Sequence, residues 1–137
     1  MQRPLLALEH LSVSVDSKPL IQDISFSMEP GKIYTLMGPN GSGKSTLASA
    51  IAGHPKYRVT GKILFQGEEM VHVAPDLRAR KGIFLSFQYP KSIPGVSLSN
   101  FLRTAYKAVH RKEMRVFEFQ KKLKSAMELL DIPISFM

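Results

Sequence analysis

No cysteine occurs in the chain, which excludes a disulfide framework and any thiolate contribution to metal or redox chemistry. No uncharged apolar run approaches the roughly 18 to 20 residues that span a bilayer, and the N-terminus lacks the basic region and apolar stretch of a secretory signal. A cytoplasmic protein with no direct membrane insertion is therefore expected. Internal repeats and low-complexity stretches are absent too, so neither a solenoid nor a disordered tail is indicated. What is present is 137 residues, 44% of them hydrophobic, enough for one domain with a core of its own.

Acidic residues are scarce relative to basic ones: 11 Asp and Glu against 19 Lys and Arg, a formal net charge of +8. The excess is local. Arg103, Lys107, Arg111, Lys112, Arg115, Lys121, Lys122 and Lys124 face only Glu113 and Glu118 in the same stretch. Such a run is most simply a solvated helix face, with docking to a partner protein the next reading. No helix-turn-helix, aromatic stacking platform or zinc pattern accompanies the charge, so no nucleic acid partner is expected.

Hydrophobic spacing places sheet first and helices later. Leu11, Val13 and Val15 alternate with polar residues, as do Ile24, Phe26 and Met28, which predicts strands with one buried face. After the turn signal Glu29-Pro30-Gly31-Lys32, the apolar run Ile33 to Met37 predicts a strand covered on both sides. Leu47, Ala48, Ile51 and Ala52 then repeat at helical spacing from Ser45, closed by Gly53 and Pro55. Ile63 and Phe65 lead into a Gln66-Gly67 turn, Pro75 to Lys81 predicts a short helix ended by Gly82, and Ile83 to Phe87 predicts a second buried strand. A loop follows from Tyr89 to Gly95. Ser97 or Ser99 can cap a helix carrying Phe101, Leu102, Ala105, Ala108 and Val109, and Val116, Phe119, Leu123, Met127 and Leu130 mark another, stopped by Pro133.

Between the first apolar run and the first helix lies Gly38-Pro39-Asn40-Gly41-Ser42-Gly43-Lys44-Ser45, followed by Thr46. A triphosphate needs many donors at close range, and glycine backbones can approach where a Cβ would block, letting successive N–H groups surround the anion. The helix that follows aims its dipole and free N–H groups at the same point. Lys44 adds a full charge for the β- and γ-phosphates, and the Ser45 hydroxyl is placed to ligate Mg²⁺. The bland reading is a Gly-rich turn. At ordinary residue frequencies the eight-position pattern arises by chance in roughly one chain of this length in two hundred. The strand-to-helix context therefore favours a phosphate-binding P-loop, the Walker A motif.

The run Gly38 to Thr46 behind a two-part antiparallel start, with Gln88 at the end of a later strand 44 positions after Lys44, resembles the ATP-binding domain of ABC-type ATPases. The wording GIFLSFQYP (Gly82 to Pro90), IPGVS (Ile93 to Ser97) and YRVTG (Tyr57 to Gly61) is similar, more specifically, to the soluble ABC-type ATPases of the SUF iron–sulfur cluster assembly system. That resemblance implies an α/β P-loop NTPase fold: residues 1–96 as an antiparallel β subdomain with the P-loop and Q-loop core, and 97–137 as the start of a helical subdomain. It implies ATP and Mg²⁺ as cofactors, Lys44 and Gln88 as catalytic residues, Ser45 and Gln88 at the metal, and Gly38 through Thr46 around the nucleotide. It also implies an ATP-dependent homodimer and a SufB–SufD-type scaffold as partners, with Tyr89, Ile93, Pro94 and the following helix as the docking contact.

The family's signature motif, Walker B aspartate, catalytic glutamate and switch histidine lie beyond the pattern matched here. An N-terminal, truncated part of a single ATP-binding domain is thus expected, one that binds ATP without turning it over and is marginally stable. Where many relatives stack adenine on an aromatic, Ser12-Val13-Ser14-Val15-Asp16 offers only Val15. An ATP-binding subunit of an ABC membrane transporter, or a non-catalytic interaction module, are the rival readings.

Overall fold

Alternating apolar residues at the start of the chain pair into an antiparallel sheet. In the computed structural model, which describes residues 3–89 and 93–136, β1 (Leu6–Val15) and β2 (Lys18–Met28) form a hairpin, and β3 (Arg58–Phe65) and β4 (Glu68–Glu69) complete a four-stranded sheet in the order β2-β1-β3-β4. β1 is central, so Leu8 stands between Phe26 of β2 and Ile63 of β3. The Gln66-Gly67 turn joins β3 to β4 with both residues at positive φ, 51° and 80°.

The buried spacing along β1 changes from two to three: Leu6 and Leu8 point inward, then Leu11 and Val13. A bulge at His10, whose φ is 48°, causes the slip and shifts the register against both neighbours. Backbone groups taken out of the ladder find other partners. The His10 N–H donates to Ser25 Oγ (2.9 Å) and the Asp23 N–H to Ser12 Oγ (3.0 Å), while His10 Nδ1 lies 2.8 Å from Asp23 Oδ1. Across from the bulge stands Gly61, where an added Cβ would come 2.3 Å from the His10 carbonyl oxygen.

The chain divides into two compact units, Met1–Ser86 and Phe87–Met137. In the first, α1 (Lys44–Ile51) packs Leu47 and Ala50 with Leu6, Leu8, Leu11, Val13, Ile21, Ile63 and Met70. Each such side chain contributes about 1.5–3 kcal/mol on full burial, or somewhat less for alanine. α2 (Pro75–Lys81) begins on proline and ends at Gly82 in a left-handed conformation, as its sequence predicts.

In the second unit, α3 (Leu98–His110) and α4 (Val116–Leu129) are joined around Phe119, Leu123 and Met127, spaced four apart on α4 and packed with Leu102, Tyr106 and Met114. A short 3-10 turn, Ile134–Phe136, follows Pro133. Of the two predicted caps, Ser97 is the one used: its Oγ accepts the Asn100 N–H at 3.3 Å. Ser97→Ala is expected to cost about 1 kcal/mol, read as lost helicity and a lowered urea midpoint by circular dichroism.

Two expected strands are not formed. Residues 33–37 and 83–87 have no regular structure, and Ile33 (98% exposed), Met37, Phe84 (88%) and Phe87 face solvent. Their composition favours burial, but a strand exists only where a neighbour completes its hydrogen bonds. Neither segment pairs with the edges at β2 and β4. Part of the predicted 89–95 loop, residues 90–92, lies outside the described residues.

Candidate phosphate-binding site

The loop from Gly38 to Gly43 is built on left-handed backbone that only glycine adopts freely. Gly41 has φ 81° with open space where a Cβ would project, and Gly43 has φ 93° as the N-cap of α1. A Cβ on Gly43 would lie 3.1 Å from Ile21 Cγ1, so β2 presses against the helix entry and fixes its place. At Gly38 a Cβ would come 2.8 Å from Ser42 Oγ. The loop closes on itself through the Ser42 N–H donating to the Pro39 carbonyl at 3.3 Å, and α1 starts with the Leu47 N–H on the Gly43 carbonyl at 2.8 Å.

Lys44, the first residue of α1, folds back over this loop. Its Nζ donates to the carbonyl oxygens of Gly38 and Pro39, both at 2.7 Å, with Ser42 Oγ at 3.5 Å. Among the described residues no carboxylate forms a salt bridge with it. The helix entry carries no side-chain cap either, so the N–H groups of the first turn keep their donor capacity beside a full positive charge. An ammonium held by carbonyl and hydroxyl dipoles next to free amides has the chemistry that suits an anion. An apolar hollow lined by Ile21, Leu36, Met37, Ser42 and Leu47 opens beside it.

The remaining predicted residues fall as follows. Pro39 and Asn40 are exposed on the loop, Ser45 is exposed on the first turn of α1, and Thr46 is half-buried there. Gln88 is exposed at a bend in the second unit. Val15 is half-buried at the end of β1. The expected strand leading into the loop is absent, so the loop is supported by β2 and α1 instead.

The basic residues of 103–124 are all exposed, which fits the solvated-face reading. Lys107 pairs with Glu113 and, by hydrogen bond first and charge second, holds that carboxyl below its usual range. Lys122 lies 5.0 Å from the centre of the Tyr106 ring, itself stacked on His110. Among the described residues no helix is long and apolar enough to cross a membrane.

One residue that sequence reasoning passed over is Arg78. It is buried on α2, and its guanidinium reaches the C-terminal carbonyls of α1, the helix that carries the loop. Burial pulls its pKa below the ordinary arginine value, and the charge of Glu69 partly offsets that. Only Gly53, whose missing side chain leaves room for the guanidinium, hints at it in the sequence.

The family model for ABC transporters matches residues 21–134. Among curated proteins, the chain is 41% identical over 134 residues to the probable ATP-dependent transporter SufC of Escherichia coli, covering 94% of this chain and 54% of that protein. It is 42% identical over 142 residues to the probable ATP-dependent transporter ycf16 of Pyropia yezoensis, covering 100% of this chain and 57% of that one. The chain thus spans about half the length of the curated relatives it matches. A solved ATP-binding subunit of an ABC transporter superposes with a TM-score of 0.66 at 28% identity, over 80% of this chain and 44% of the other. A nucleotide-free ATP-binding cassette from an ABC transporter gives 0.72 over 95% of this chain and 55% of that one, and at 23% identity speaks for the fold alone. With the glycine loop, the lysine that opens α1 and the α/β architecture agreeing, the chain belongs to the ABC transporter family of ATP-binding proteins, and its sequence is SufC-like.

Proposed function

We propose that the chain binds Mg-ATP at Gly38–Thr46 as part of an ATPase that drives conformational change in a SufB–SufD-type scaffold during iron–sulfur cluster assembly. The observation that carries the nucleotide reading is the Lys44 ammonium, held over a glycine loop by two carbonyls at 2.7 Å beside the uncapped start of α1. In this reading the loop amides and Lys44 take the phosphates, Ser45 ligates Mg²⁺, and Gln88 contributes to the metal and to the attacking water. The scaffold reading rests on likeness to SufC at 41% identity and on the GIFLSFQYP and IPGVS wording. Both units belong, on this view, to one ATP-binding domain, with 1–96 as its β and loop part and 97–137 as the start of its helical part. The working form is an ATP-dependent homodimer in the cytoplasm.

The docking surface we assign includes Tyr89, Ile93, Pro94 and α3, which buries none of its own residues and leaves Leu98, Phe101 and Val109 exposed. Service to a membrane transporter is the second reading, favoured by the word transporter in the names of both relatives. Affinity purification from cells separates them by whether soluble scaffold proteins or membrane proteins co-purify. Calorimetry of the folded chain with Mg-ATP is expected to show saturable binding at one site per chain. Absence of heat from a verified folded sample rejects the nucleotide reading.

A further inference from the structure

Arg78 is 3% exposed and is the one buried charged residue among those described. Its Nε donates to the Val73 carbonyl (2.8 Å), one terminal nitrogen to the carbonyls of Ala50 (3.0 Å) and Ile51 (2.7 Å), and the other to the Val71 carbonyl (3.0 Å). Four donors thus meet four backbone acceptors from two separate segments. Ala50 and Ile51 are the last residues of α1, where intrahelical partners run out; the Ala50 carbonyl also accepts the Gly53 N–H at 3.0 Å. That last turn contains no basic residue of its own, so Arg78 brings from α2 the cation that a helix C-terminus favours. Space for it exists because position 53 is glycine, at φ 82°; a Cβ there would lie 2.9 Å from the Arg78 Nε.

The other end of α1 carries the phosphate loop. At eight residues the helix is about 12 Å long, and only Leu47 and Ala50 are buried along it. Leu47, Ala50 and the partly buried Ile51 seat the helix on the sheet and Ile21 presses on its entry, while a planar guanidinium bonded to its far end and to the 71–73 turn adds the restraint on tilt. We propose that Arg78 is a positioning residue for phosphate binding: by clamping the far end of α1 it keeps the first-turn amides and Lys44 aimed at one point, without touching phosphate or metal. This rests on the nucleotide reading above. A shift of the axis at residue 51 is carried along a rigid helix to residue 44, where anion binding is sensitive to misplacement of a fraction of an ångström.

The test compares Arg78→Gln and Arg78→Lys with the unaltered chain, measuring calorimetric Kd for Mg-ATP and Mg-pyrophosphate alongside urea melts. Arg78→Gln is expected to weaken both ligands in the same proportion, about tenfold, in the folded protein. Arg78→Lys, which keeps the charge but loses the fork, is expected to recover to within about threefold of the unaltered chain. A merely structural arginine shifts the melt but leaves the affinity of folded molecules alone. Folded Arg78→Gln that binds Mg-ATP like the unaltered chain therefore overturns the proposal. Should Arg78→Gln fail to fold, Arg78→Lys decides: a loss of about two- to threefold, equal for both ligands, supports the clamp, and unchanged affinity overturns it. Failure of the unaltered chain to bind is a different result, since it removes the nucleotide reading beneath the proposal.

Discussion

Lys44→Ala is expected to weaken Mg-ATP binding at least about 100-fold while moving the stability of the chain by no more than about 1 kcal/mol. The two halves of that expectation have different physical sources. In this structure Lys44 is half-exposed and its ammonium bonds two carbonyls, those of Gly38 and Pro39. Water can replace it there, and alanine is the best helix former at a first-turn position, so the net cost to folding is small. Against a polyphosphate the same ammonium makes charge-assisted hydrogen bonds worth about 1.5–3 kcal/mol each, and two of them correspond to a factor of 100 or more. Its present partners also matter. By drawing the carbonyls of Gly38 and Pro39 together, the side chain prearranges the loop before any ligand arrives, so the substitution removes both a contact and an ordering element. Titration calorimetry and urea melts on one preparation check both halves. Affinity within fivefold of the unaltered chain would mean that the loop amides suffice and that Lys44 is no phosphate ligand.

Local chemistry in the sequence made the turns and helix ends readable. Pro75 and Gly82 mark both ends of α2 because each residue has one strong backbone preference, and the Gln66-Gly67 turn and the Ser97 cap are equally local decisions. The glycine loop before α1 is readable for the same reason: glycines at fixed offsets, then lysine, then a helix. Longer-range facts were not. An apolar run such as Ile33 to Met37 reports that side chains seek cover, yet it says nothing about whether a neighbouring backbone is there to bond, and among the described residues no strand pairs with it. The bulge at His10 breaks the alternation of β1 through a positive φ on a residue that usually avoids it. Arg78 sits among Arg80 and Lys81 in the sequence with nothing to separate it from them. Only folding brings the Ala50 and Ile51 carbonyls to it.

The sharpest consequence of that difference between apolar pattern and actual pairing is a contrast between two isoleucines. Ile63→Ala is expected to destabilise the chain by about 2–5 kcal/mol, because Ile63 is fully buried in β3, next to Leu8, and truncation leaves a cavity in the main core. Ile33→Ala is expected to change stability by less than about 0.5 kcal/mol, since its side chain is 98% exposed and its backbone belongs to no sheet. Both residues sit in apolar runs that suit a strand, and propensity alone would rank them alike. Urea melts followed by circular dichroism separate the two accounts. A loss at Ile33 comparable with that at Ile63 would mean that residues 33–37 are packed in solution, and the loop would then gain the strand support that this structure does not give it. Near-silence at Ile33 would instead leave β2, through Ile21 against Gly43, the core packing of α1, and Arg78, through the far end of α1, to hold the glycine loop in place.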